Sequence, residues 1–468
     1  MGSLFSCVPA PIFKQGFSLF WLLFALVFSC QGQTLEIHQI SVGQGDAGLI
    51  VVRDTAKMRA ALAKYPRVVI PADRLLWLKL AMDSTVVLKG TIKKIVLIDA
   101  GAGAEQGNKI DKYLTKIGAD SLDYTVLSHY HIDHFGGFKQ LLDKGWAPKT
   151  AAYDRGNDRV SPRPKTGCHK GYINPLADNG VVRRAARADA TDINLDSLGG
   201  NKIQLTCVIS NGSTLGVDPN DHANWPGGND ENDYSVGWLV QYGAFRFYTG
   251  GDLNGLLSKK HAFETNLADS LITHDGSVFT SFTGMAMDKG HVCSMKLNHH
   301  GGRESTSDYF LSVLRPTTVL VSCGYSTSYY HPRIEVLKVL DSRTGERWDI
   351  SDWKIPGTFM DNTIRQCYFT SMMDTTIIVQ VAFPHLSVAD RNVYKNIGQA
   401  ALSNGVISGD VVVIVDDNNI STESKYRVYW NGEKATAVVT GAIREPNSAG
   451  TQYFQCHQAT TLNYITNH

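Results

Sequence analysis

The sequence predicts an α/β protein in four layers, αββα, with two β-sheets stacked face to face and helices on both outer faces. Two observations carry this. Along the chain, β-rich stretches give way to βα units, and the same order then repeats. The apolar strands of both halves also run into clusters of histidine and aspartate, and open α/β sheets place their chemistry at such strand ends. A chain of 468 residues with 43% apolar side chains has ample material for the core.

"TLEIHQISVGQGDAGLIVV" (34–52) reads as strand, turn, strand, and "KKIVLIDAGAG" (93–103) as a buried strand entering a glycine turn. The helical spacing between them is broken by Pro66 and Pro71, which marks an insertion near 54–84. "NKIDKYLTKIG" is an amphipathic helix closed by glycine, and "LDYTVLS" is a short apolar strand that delivers "HYHIDHFGG". "FGGFKQLLDKG" then reads as a helix. From 146 to about 230 the texture is rich in Gly, Asn, Asp and Pro and predicts inserted surface loops with a few strands, "KIQLTCVIS" among them. "YSVGWLVQYGAFRFYTGGDL" predicts a hairpin, and "HVCSMKLNHHGG" a strand ending in two histidines. A helix ("STSDYFLSVLRP"), a strand ("TTVLVSCG") and a helix ("HPRIEVLKVLDS") follow. Beyond 384, "GDVVVIVDD", "KYRVYWNG" and "KATAVVTGAI" predict a small β-rich appendage over 385–468, beside a main domain over 31–384.

Lysine plus arginine (45) balances aspartate plus glutamate (44), so composition supplies no overall drive towards nucleic acid or an anionic membrane. Lys14 precedes "FSLFWLLFALVFS", an apolar run of 13 residues. That is short of the roughly 20 residues of a membrane span and fits the core of a secretory signal. Ser29 before Cys30 resembles a lipoprotein cleavage box, so residues 1–30 read as a leader, the chain as exported, and Cys30 as a lipidated membrane attachment. Of eight cysteines, Cys7 and Cys30 fall in the leader and none of the others forms a CxxC pair, which speaks against a cysteine–zinc site. Cys293 opens one strand and Cys323 closes the next, parallel one, so a strand length separates them and they are not expected to pair.

The chemistry gathers at His129, His131, Asp133 and His134. Four ligands on one tight loop strain to reach a single ion but serve two adjacent ones, His129 and His131 on one, Asp133 and His134 on the other. Imidazole with carboxylate suits zinc, and also manganese or iron. Gly136 and Gly137 let the following helix pack closely behind. Asp252, at the end of the hairpin, is placed to bridge both ions, and His299 and His300 end another apolar strand.

On these residues the chain resembles the metallo-β-lactamase superfamily, and more narrowly the hydrolase domain of ComEC. The ComEC-like features are "VGQGDA" (42–47), "LIDAG" (97–101), "TGGD" ending at Asp252, "HHG" followed by serines (299–307), and a late "GY…HP" (324–332). The resemblance implies the αββα sandwich, with His129, His131, Asp133 and His134 as the signature loop, Asp252 as the bridge and His299 as the last ligand. Many superfamily members carry one more histidine on the first ion, some twenty residues before the bridge. Here that region reads "GGNDENDYSVG", leaving Asn232, Asp230 or a remote His222 as substitutes.

The expected chemistry is hydrolysis by a water bridging two cations, its pKa lowered towards neutrality. Asp252 and Asp133 flank it, and His331 stands over the site to contact a phosphate oxygen or protonate the leaving group. Asp99 reads as a structural pin, and Asp46 and Gln44 as groups that orient ligands. The resemblance implies a phosphodiester substrate, with nucleic acid leading, and Lys296, Arg303 and Arg333 near the motifs to meet phosphate. The alternatives are a lactone or β-lactam hydrolase, and a surface binding protein with a vestigial metal site.

Overall fold

The computed structural model describes residues 32–63, 88–156, 166–188, 192–196, 203–217, 230–255, 262–278, 290–326, 328–341, 347–349, 358–372, 387–388, 404–416, 425–433, 447–448, 450–456 and 465–466. The leader, most of the 54–84 insertion, His222 and "KATAVVTGAI" lie outside these residues. Among the described residues, no helix is long and apolar enough to cross a membrane.

Strands β1 (Gln33–Gln39), β2 (Gly48–Asp54), β3 (Ile92–Ile98), β4 (Leu122–Val126), β5 (Pro148–Asp154) and β6 (Arg183–Ala185) lie side by side in chain order in the first sheet. The pairs β1–β2 and β2–β3 are antiparallel, and the pairs from β3 to β6 are parallel. The second sheet repeats the scheme. Strands β7 (Asp192–Asp196), β8 (Ile203–Ser210) with β9 (Ser213–Thr214), β10 (Gly237–Tyr242) and β11 (Phe245–Thr249) are antiparallel. Then β12 (Ser294–Lys296), β13 (Thr318–Val321), β16 (Gln366–Phe369) and β17 (Gly405–Ile407) continue in parallel from β11. Strands β14 (Arg347–Asp349), β15 (Thr358–Asp361) and β21 (Ile465–Thr466) form a small third sheet.

Alternation along the strands divides the core into layers. Leu35, Ile37, Ile50 and Val52 face Leu205, Trp238, Val240 and Phe247 between the two sheets. Leu49, Val51 and Leu97 point the other way, under α2 (Ala104–Lys116), α4 (Phe138–Asp143) and α5 (Thr166–Asp178). The outer face of the second sheet packs against α6 (Phe263–Val278), α7 (Asp308–Leu314) and α8 (Ile334–Leu340). Helix α1 (Thr55–Ala63) follows β2, and α3 (Ile132–Phe135) is a single turn inside the histidine loop.

Two expectations are corrected. The C-terminal segment is not an appendage. Strands β18 (Val411–Asp416), β19 (Lys425–Trp430) and β20 (Gly450–Gln455) extend the first sheet, with β18 antiparallel to β1 in the register Leu35↔Val415 and Ile37↔Val413. Val411, Val413 and Val415 face the inter-sheet core, while Val412 and Ile414 face the helices. An unbroken apolar run such as "VVVIV" is the signature of a strand buried on both faces, which an appended domain would not need. Nor are the described residues of the 146–230 region mainly loop. They hold β5, α5, β6, β7 and β8, and α5 tolerates Pro175 in its interior.

Candidate metal centre

The C-terminal ends of the parallel strands converge. β3 runs into Asp99, β4 into Ser128–His134, β11 into Asp252, β12 into His299–His300, and β13 into Ser322. The "VGQGDA" turn closes over them. Gly45, at φ +125°, brings its backbone so near Asp133 that a Cβ there would stand 2.5 Å from the Asp133 carbonyl oxygen. Gly136 and Gly137 permit the equally close approach of the histidine loop to Ala102 and Ala100.

Asp252 lies at the centre. Its Oδ2 is 3.2 Å from His134 Nε2, 3.4 Å from His300 Nε2, 3.8 Å from His299 Nε2 and 4.0 Å from His129 Nε2. Asp133 stands against His134 at 3.9 Å and His300 at 3.5 Å. His131 Nδ1 faces His129 Nε2 at 3.0 Å. The structure therefore brings Asp252 and the His299–His300 pair to the signature loop. It sets His300, rather than His299, beside Asp133 and His134.

The far edges of the rings are held from behind. His134 Nδ1–H donates to Asp99 Oδ2 at 2.8 Å, and that carboxylate also accepts from the Ser128 amide and hydroxyl. His300 Nδ1–H donates to the Ser322 carbonyl at 2.8 Å. With a proton fixed on Nδ1, each ring turns its Nε2, the nitrogen a bound cation would take from its proton, towards Asp252. These Nε2 atoms, and Asp252 Oδ1, are buried without a hydrogen-bond partner. Such orphans are costly unless a further group completes them. A divalent cation fits this donor set of imidazole lone pairs and carboxylates.

Asp46, His134, Asp252 and His300 offer ligand atoms that all lie within 4.8 Å of one another. Asp46, however, faces the wrong edge of the rings: it lies 3.7 Å from His134 Nδ1 and 3.5 Å from His300 Nδ1, and it is ion-paired with the buried Lys296 ammonium. It supports the rings from behind, while Asp133 and Asp252 occupy the metal side. Lys296 also donates to the Gly251 carbonyl, so this lysine, expected near phosphate, is spent inside the fold. Arg303 and Arg333 lie 3.6 and 3.9 Å from Glu335.

Electrostatics follow the same division. Burial would push the His134 and His300 rings down, but Asp252 and its neighbouring carboxylates outweigh it, holding His134 well above the usual range and His300 at about 10. Burial would raise Asp133 and Asp252, and His134 first among the nearby imidazoles pulls both far below the usual carboxylate range. His331 packs its ring 5.3 Å from His299 and 5.8 Å from His300, with Nδ1 3.3 Å from Gln44 Nε2. Burial and the two neighbouring histidines push it down to about 2, so it stands neutral.

Of the candidate substitutes for the missing histidine, Asp230 is occupied capping the short turn Glu231–Tyr234. Asn232 presents its amide nitrogen to His299 Nε2 at 3.3 Å. Sequence reasoning missed Glu264 and Asn254. Glu264, buried in the first turn of α6, accepts from Asn298 Nδ2, from the Thr306 amide and from the Ser307 amide. Asn254 Oδ1 lies 3.3 Å from His299 Nδ1. No motif marks either residue, since an acidic side chain at a helix start ordinarily signals only a favourable dipole.

A family model described as the metallo-beta-lactamase superfamily matches residues 81–159, the segment that holds β3, β4 and the histidine loop. Among curated proteins the chain is similar to ComE operon protein 3 of Bacillus subtilis (strain 168), at 24% identity over 230 residues. That stretch is 49% of this chain and 23% of the relative, so the chain spans under a quarter of that protein's length. Among solved structures, Rm3 metallo-beta-lactamase is 14% identical with a TM-score of 0.25, covering 52% of this chain and 75% of that one. A metallo-beta-lactamase from Pontibacter korlensis is 16% identical with a TM-score of 0.19, covering 35% of this chain and 58% of that one. Over 81–159, the segment that supplies His129, His131, Asp133 and His134, the chain is thus similar to the metallo-beta-lactamase superfamily, and Asp46, His134, Asp252 and His300 form a candidate metal site.

Proposed function

We propose that this chain is a two-metal phosphodiester hydrolase with nucleic acid as its leading substrate. The observation that carries the metal reading is the placement of Asp252 Oδ2 among four imidazole Nε2 atoms, two of them buried without a hydrogen-bond partner. Asp133, His134 and His300 would hold one ion, His129 and His131 the other, with Asp252 between them. Zinc suits these donors, as do manganese and iron. A bound pair of divalent cations supplies Lewis-acid stabilisation of developing negative charge and lowers the pKa of a nearby water.

The chain's own residues do the rest. Asp133 and Asp252 stay ionised and accept hydrogen bonds that orient a nucleophilic water. Asp99, Ser322 and the Asp46–Lys296 pair hold the imidazoles at fixed angles, so little reorganisation accompanies the reaction. His331, kept neutral, serves as a hydrogen-bonding contact for a substrate oxygen rather than as a ready acid. The phosphodiester preference is what the resemblance carried by the ComEC-like motif set implies. Export and lipid attachment at Cys30 belong to the same proposal. Export is supported by the Cys293–Cys456 disulfide, a bond of oxidising compartments, and lipid attachment by the sequence around Cys30.

The test is turnover by purified, metal-loaded protein of bis-p-nitrophenyl phosphate, single-stranded DNA and nitrocefin. The reading expects hydrolysis of the two phosphodiesters and none of nitrocefin. Turnover of nitrocefin alone, or of no substrate together with no metal by elemental analysis, contradicts it.

A further inference from the structure

The turn Asn298–Gly301 puts two adjacent non-glycine residues in the left-handed region, His299 at φ 48°, ψ 43° and His300 at φ 54°, ψ 17°. Single residues visit that region, and consecutive ones need a reason. The consequence is visible in the rings. Successive side chains fan apart, and the two imidazoles sit 6.3 Å apart with planes at 66°. His300 goes to the side of Asp133 and His134. His299 approaches the same Asp252 oxygen that His129 approaches, at 3.8 and 4.0 Å. His129 and His131 are otherwise a set of two imidazoles where superfamily members commonly have three.

His299 is prepared in the same manner as the other ligands. Its Nδ1 faces the acceptor Asn254 Oδ1, and Asn254 is itself fixed by donating Nδ2–H to Asp233 Oδ1 at 2.9 Å. The ring proton is thereby assigned to Nδ1, and the Nε2 lone pair points inwards. Asn232 stands against that atom through its side-chain amide, with Nδ2 at 3.3 Å. Glu264 secures the backbone. Its Oε1 accepts from Asn298 Nδ2 at 2.8 Å and from the Thr306 amide at 2.7 Å, and its Oε2 accepts from the Ser307 amide at 2.9 Å. Its own amide donates to the Asn254 carbonyl at 3.1 Å. One buried carboxylate thus ties the strained turn, the loop after it, and the residue that orients His299.

We propose that the His299–His300 turn supplies one imidazole to each of two ions, with His299 filling the place of the missing first-set histidine and Glu264 acting as the positioning residue that locks the turn. This rests on the two-ion reading above. The experiment titrates the full chain, stripped of metal, with cobalt(II), following visible absorption and checking stoichiometry by elemental analysis. Wild type should take up two ions. His299→Ala and His299→Asn should each keep one ion, with the absorption of the Asp133–His134–His300 set, and His300→Ala should lose that absorption instead. Glu264→Gln should bind the first-set ion roughly 10- to 100-fold more weakly, with its far-ultraviolet circular dichroism unchanged. Glu36→Gln, a buried carboxylate remote from the site, should lower Tm and leave both affinities alone. Two ions bound with wild-type affinity by both His299 variants would overturn the assignment of His299. A wild-type titration of Glu264→Gln, or one displaced no more than that of Glu36→Gln, would overturn the role of Glu264. A wild type that binds one ion or none removes the two-ion reading itself, and this inference with it.

Discussion

Two buried polar clusters, one within the first sheet and one at the strand ends of both sheets, behave in opposite ways. Under α2, Glu36 receives Arg53 Nε on both oxygens at 2.9 Å, while Arg53 also donates to Thr91 Oγ1 and the Ile117 carbonyl. His38 bridges Glu36, at 3.1 Å, and the Tyr113 hydroxyl, at 2.9 Å. Each of these charged groups is met by a partner within the fold. Around Asp252 the reverse holds: His134 Nε2, His300 Nε2 and Asp252 Oδ1 are buried and lack a hydrogen-bond partner. Composition does not distinguish the clusters, since both mix histidine with carboxylate. Saturation does. A cluster whose hydrogen bonds close on themselves stabilises the fold, whereas one that leaves lone pairs converging on a point is built for something else.

The contrast can be broken at either end. The largest expected effect on stability lies in the saturated cluster. Arg53→Met leaves the Glu36 charge buried and uncompensated, and chemical denaturation should show a loss of about 3–5 kcal/mol. Metal content should not change, and a loss of metal in the folded variant would erase the distinction between the clusters.

Glu264 comes next, because it lies between the two types. Three donors favour its ionised form, yet burial dominates and raises its pKa from 4.5 to about 7. The folded state therefore binds a proton more readily than the unfolded state. The stability this contributes is full below about pH 4.5 and is lost as pH rises through about 7. The change amounts to about 3 kcal/mol across that window. Denaturation of wild type and Glu264→Gln at successive pH values should show the slope in the first and a flattened line in the second. Equal slopes would remove Glu264 as its source.

The smallest effect is expected at the mouth of the site. Gln44→Ala deletes one contact with His331 and should cost no more than about 1 kcal/mol in stability. Its metal content should match wild type, and loss of an ion would mean that Gln44 reaches further into the ligand shell than its 3.3 Å contact with His331 indicates.

The legible parts of the site were those with local spacing. His-x-His-x-Asp-His at a strand end spans only six residues, and Asp252 follows from the end of a hairpin. The division of labour between His299 and His300 was not legible, because it depends on two consecutive left-handed backbone conformations that no local pattern announces. Glu264 was hidden for a related reason: its role arises from burial against residues 298–307, more than thirty positions away. The fold divides similarly. The βα units around β3, β4, β12 and β13 show their local apolar patterns. The seat of β18 beside β1 joins positions Leu35 and Val415, and no local pattern specifies a partner so distant. Between 146 and 230, turn-forming residues masked the strands and the α5 helix with its internal proline.

The most direct test of the central claim is anomalous diffraction from crystals of the full chain soaked in zinc. The account predicts two peaks, one on the Nε2 side of His134 and His300 and one beside His129, His131 and His299, with the Asp252 carboxylate between them. No peak at this cluster, or a peak on the Nδ1 side beside Asp46, would contradict it.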